Sequence, residues 1–90
     1  MTRYLANSVV SCRDEGLDGA LLFNPDQDGV VLINPTGQLI WDILILPRTV
    51  DEITNLLAEK LNITDASVVA KDVDAFLKAL QPDYIMVDED

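Results

Sequence analysis

Chemistry needs side chains that hold protons, metals or nucleophilic electron pairs at workable spacing, and this sequence offers few. Its 90 residues include no histidine and one cysteine, Cys12. The common ligand sets for zinc, haem and copper are therefore missing, and no internal disulfide can form. Sixteen Asp and Glu make carboxylate pairs easy to find, Asp72 with Asp74 and Asp26 with Asp28 among them. Pairs at that density arise by chance, and without a base, a phosphate-cradling loop or a nucleophile with a partner they do not make an active site. Asp26-Gln27-Asp28-Gly29 resembles the start of a calcium loop, but the bidentate acid expected further along is replaced by the apolar run Val30–Pro35, so a turn is the better reading. Cys12 reads as a small buried hydrophobe, with only Arg13 beside it to lower its pKa. Trp41, the sole tryptophan, reads as a residue at the edge of the core; the alternative is an exposed anchor for a partner. The expectation is a protein without catalytic residues, metal or cofactor.

Binding is left as the function class, and charge narrows it. Six Lys and Arg against sixteen acids give a formal charge of −10. Nucleic-acid affinity comes largely from basic side chains displacing counterions, so this surface repels phosphate and favours basic partners; solubility is the plainer role of the same charge. With 49% apolar residues the chain is expected to fold as one domain over residues 1–83, followed by an acidic C-terminal tail, 84–90. No run approaches the roughly 18 apolar residues of a membrane span and the N-terminus lacks the apolar core of a signal peptide, which together predict a cytoplasmic protein without membrane contact.

The elements that would carry a binding surface can be read from turn and cap chemistry. Val9–Cys12 predicts an edge strand, and Arg13–Asp18, with Gly16 and Gly19 about it, a turn. Leu-Phe-Asn-Pro (22–25) and Leu-Ile-Asn-Pro (32–35) end two apolar runs joined by Pro25–Gly29, the signature of a β-hairpin. The two Asn-Pro pairs lead into different structure. After Pro25 there is only a polar turn, whereas after Pro35 the apolar spacing Leu39, Ile40, Ile43, Leu44 predicts a helix over Thr36–Ile45 with Asn34 as its cap. Thr49 and Glu52 form a capping box for a second helix ending near Asn62, its apolar face made of Val50, Ile53, Leu56, Leu57 and Leu61. Thr64 or Asp65 caps a third, with Val69, Val73, Phe76, Leu77 and Leu80 as its stripe and Pro82 as its stop. Between those stripe positions Val68, Asp72, Ala75 and Ala79 form a flatter face, either room for a ligand or a plain solvated surface. Tyr84–Val87 either add a short strand or pack loosely, and Asp88–Asp90 are expected to be disordered. The predicted class is α+β, a winged helix-turn-helix in which a three-stranded antiparallel sheet is followed by three helices.

The hairpin running into LINPTGQLIWDIL (32–44), then PRTVDEITNLLAEKL (47–61), then DVDAFLKAL (72–80) resembles the PqqD-like family, the RiPP recognition elements. The match spans about Gly19 to Leu80. It departs from many members at QPDYIMVDED (81–90), where they carry a Gly-Leu-Leu-like ending. The resemblance implies a peptide chaperone rather than an enzyme: a stand-alone protein of peptide natural product biosynthesis that binds the leader of a ribosomally synthesised precursor as an added β-strand. It would present that leader to a partner in trans, a radical SAM maturase or a leader peptidase. The implied peptide-binding residues are Val30, Val31, Leu32, Ile33 and Asn34 on the third strand and Val68, Asp72, Ala75, Phe76 and Ala79 on the third helix. An open strand edge also allows pairing with a second copy, a homodimer. The alternative function for the architecture is a DNA-binding transcription regulator, which the acid content of the third helix, Asp65, Asp72 and Asp74 against Lys71 and Lys78, opposes.

Overall fold

The computed structural model describes residues 1–89. The first strand, β1 (Thr2–Ala6), lies far from its neighbours in sequence and pairs antiparallel with the last, β5 (Ile85–Glu89), in a two-stranded sheet. β1 is held on its other side by the segment before the second helix, where Tyr4 and Arg48 exchange backbone hydrogen bonds of 2.7 and 2.9 Å. A separate three-stranded antiparallel sheet has the order β2 (Ser11–Asp14), β3 (Ala20–Phe23), β4 (Val31–Ile33). Its register pairs Ala20 with Ile33 and Leu22 with Val31, so those four side chains share the face turned to the helices, while Leu21 and Leu32 share the other. Leu32 is exposed and Ile33 buried, as that alternation requires.

Three helices come next: α1 (Pro35–Ile43), α2 (Val50–Lys60) and α3 (Ser67–Leu80). α1 starts as its sequence asks, with Pro35 in the first position and the Asn34 side chain accepting from the Gly37 amide at 2.7 Å. The Thr49–Glu52 capping box is complete in both directions, with bonds of 2.8 and 3.2 Å. One core gathers Ala20, Leu22 and Ile33 from the sheet, Ile40, Trp41, Ile43 and Leu44 from α1 and its end, Ile53 and Leu57 from α2, and Val69, Val73, Leu77 and Leu80 from α3. Trp41 belongs to that core, 5% exposed. No helix among the described residues is long and apolar enough to cross a membrane.

The α+β class with a three-stranded antiparallel sheet and three helices stands, and the differences lie at its margins. The order is not three strands and then three helices, because β1 precedes the sheet and β5 comes after α3. β1 carries no turn signal or alternation of its own; it is made by pairing with a strand at the other end of the chain, Thr2 opposite Glu89 and Ala6 opposite Ile85. Of the two readings of Tyr84–Val87, a short strand or loose packing, the strand is the one found: Ile85–Val87 open β5, and Tyr84 and Ile85 are buried; of the stretch expected to be disordered, Asp88 and Glu89 are in β5 and Asp90 lies outside the described residues. The edge strand sits two residues later than Val9–Cys12, and Cys12 is exposed. Partial desolvation, and after it the negative charges of Asp42 and Asp14, raise the Cys12 thiol above its ordinary pKa. The first residue of α3 comes after Ala66 with no side-chain cap; Asp65 instead accepts from the Ser67 amide at 3.0 Å and its hydroxyl at 2.7 Å. Val50, expected on the apolar face of α2, is exposed, and Thr54 and Ala58 are buried there instead.

Candidate functional site

The hairpin is built by its two asparagines. Asn24 is buried: its side-chain oxygen accepts from the Asp26 amide at 2.8 Å, turning the chain after β3, and its amide group donates to the Asp83 carbonyl at 2.7 Å, tying the turn to the end of α3. Asn34 ends β4 and starts α1. β3 occupies the middle of the sheet, so β4 has a neighbour on one side only. Gly19, at φ 100°, lies against the Ile33 carbonyl oxygen, which therefore points toward β3. In an antiparallel ladder successive residues direct their backbone groups to opposite sides, so the Leu32 N–H and C=O point to the open edge. Unpaired groups of this kind are a template for one more strand.

Beside that edge runs a groove in two compartments. The smaller, about 230 Å³, is lined by Val31, Leu32, Ile33 and Asn34 on the strand side and Phe76, Ala79 and Leu80 on α3. The larger, about 300 Å³, continues past Asn34 to Thr36, Gly37 and Ile40 on α1, facing Asp72, Ala75 and Phe76. α3 thus runs antiparallel to the strand side, with Ala79 opposite the strand and Asp72 opposite the start of α1. Phe76 and Asn34 line both compartments and form the wall between them. The small side chains Ala75 and Ala79 leave the opening, and Asp72 is the only ionisable residue in either lining.

Eight of the ten residues expected from the sequence line this groove, and two do not. Val30 is exposed just before β4, and Val68 is exposed on the first turn of α3. Ile33 borders the groove but is 6% exposed and belongs to the core, whereas Val31 is half-buried. Four further residues complete the lining beyond that expectation: Thr36, Gly37, Ile40 and Leu80. Gly37 carried a usable signal, a glycine inside a helix, which costs helix stability unless something packs closely against it. Phe76 does, since a Cβ on Gly37 would lie 2.9 Å from the Phe76 Cε1.

Residues 19–83 match the family model described as coenzyme PQQ synthesis protein D, PqqD. The chain belongs to the PqqD family. The matched stretch begins at Gly19, takes in the β3–β4 hairpin and all three helices, and so contains every residue of the groove, while β1, β2 and β5 lie outside it. Neither the curated proteins nor the solved structures hold a match to this PqqD-family chain.

Proposed function

We propose that this chain is a winged helix-turn-helix recognition module that binds the leader segment of a ribosomally synthesised precursor peptide. The leader adds as a strand to the open edge of β4, over the groove walled by α3, and is held there for a modifying enzyme acting in trans, a radical SAM maturase or a leader peptidase. The observation that carries the reading is the coincidence of an unpaired strand edge with a groove along the same strand. Main-chain hydrogen bonds to Leu32 supply affinity for any extended peptide, and the compartments select side chains. Ordering a flexible leader costs about 2 to 5 kcal/mol, so apolar anchoring against Val31 and Ala79 is needed to reach micromolar binding. The protein contributes binding and presentation, and the chemistry belongs to the enzyme.

DNA is a poor fit for α3. Its cations, Lys71 and Lys78, are balanced by Asp72 and Asp74, and Lys78 is paired with Asp74 at 3.0 Å. A titration of the isotope-labelled protein with synthetic leader segments of candidate precursor peptides tests the proposal. The amides of Val31–Asn34 and of Asp72–Ala79 should shift together and saturate together. Shifts confined to β1, β5 or α2 would remove the groove from the mechanism.

A further inference from the structure

The two compartments differ in chemistry, and their offset matches the repeat of a strand. We infer that the groove reads two leader side chains two residues apart: an aliphatic one beside Val31, and a lysine or arginine against Asp72. The inference rests on strand docking at β4 and adds to it the class of peptide selected.

The smaller compartment has apolar walls and no ionisable group; the larger has one, the Asp72 carboxylate. Lys78 is held by Asp74 and does not neutralise it. On α3 the compartments centre on Ala79 and Ala75, one helical turn apart, a distance of about 6 Å. Inward-facing residues of an extended strand recur every second position, about 6.7 Å apart. Adjacent inward side chains of a docked strand therefore meet adjacent compartments, and the residue between them points away from the groove. A cation beside Asp72 is favoured by that carboxylate at short range and by the chain's net charge of −10 at long range. Only the first depends on register, which allows the two to be separated.

Synthetic peptides of about twelve residues, enough to span the edge, built from Thr and Ser with one Leu, serve as probes. Two carry Lys two residues before or after the Leu, and the control carries it on the adjacent residue, so all have the same net charge. Followed by amide shifts, one of the two-residue spacings should bind about two- to five-fold more tightly than the control, the range expected for an exposed ion pair. Asp72→Asn, on the exposed face of α3, should erase that difference, and Asp72→Lys should reverse it in favour of Glu-containing versions. If the peptides shift β4 and α3 but the position of Lys makes no difference, the Asp72 subsite is wrong and strand docking stands. If none of them shifts β4, docking itself fails and the subsite with it.

Discussion

Replacing Gly37 by Ala should narrow the groove while leaving the protein folded. An Ala Cβ would lie 2.9 Å from the Phe76 Cε1, 3.2 Å from the Asn34 Oδ1 and 3.3 Å from the Ile33 Cβ. Carbon atoms pack best at about 3.5 to 4.0 Å, so the Phe76 ring must retreat by about 0.6 to 1 Å. Ile33 is held in the core and Asn34 by its cap to the Gly37 amide, but Phe76 is half-buried with groove space beside it. The ring therefore moves into the groove. In stability the two effects oppose each other: the helix gains up to about 1 kcal/mol from Gly→Ala, and overpacking costs about 1 to 3 kcal/mol when neighbours cannot yield. With a ring free to move, the net change in urea unfolding should stay within about 1 kcal/mol in either direction. Leader affinity should fall, because Phe76 borders both compartments. Phe76→Leu shortens the side chain and should restore part of that loss, giving a non-zero coupling in a double-mutant cycle of unfolding and binding. A Gly37→Ala protein that binds leader like the parent, with unchanged Phe76 ring resonances, would refute the reasoning. A loss of stability beyond about 3 kcal/mol would also refute it, by showing that the ring is not free to yield.

Val31→Asp and Ile33→Asp should separate cleanly: the half-buried Val31 variant keeps its circular dichroism spectrum and loses leader binding, whereas the Ile33 variant, with a carboxylate in the core, unfolds. Gly19→Ala combines a positive φ of 100° with a Cβ driven into the Ile33 carbonyl, neither of which a side-chain movement relieves, so it should cost several kcal/mol and weaken β3–β4 pairing, seen as faster amide exchange at Ile33. Equal protection in the two proteins would contradict the close approach. Glu52 accepts a hydrogen bond from the Thr49 amide, and this holds its carboxyl below the ordinary glutamate pKa. A lowered folded pKa makes the stabilisation complete above the unfolded value and lost as pH falls through the folded one, so acidification below the usual glutamate range should fray the start of α2. Glu52→Gln, which keeps a carbonyl acceptor, should flatten that part of the acid-unfolding curve.

Local chemistry made much of the fold readable in the sequence. Asn34-Pro35, the Thr49–Glu52 box and the β3–β4 turn are written in residues a few positions apart, and each formed as its spacing required. The groove was legible mainly through the family resemblance, which set it between the third strand and the third helix; of its parts only the small residues on one face of α3 are a local pattern, and that pattern fits a plain solvated face equally well. Where expectation and structure part, the deciding partner is remote. β1 and β5 are strands because they pair with each other across the length of the chain, and Val50 lost its place in the core to Thr54 and Ala58 because packing against neighbouring elements sets which arc of a helix is covered.

By itself, then, the sequence determined the helices, the caps of α1 and α2, the central hairpin and the absence of histidine chemistry, since each depends on residue type or short-range geometry. Only the tertiary structure could decide that β4 is an edge, that Gly37 makes room for Phe76, and that Asp72 shares a compartment with the start of α1. Asp72 and Thr36 are 36 residues apart, and no local period encodes that meeting. It arises from burial of one face of each element in a common core, which fixes where the opposite faces are left to open.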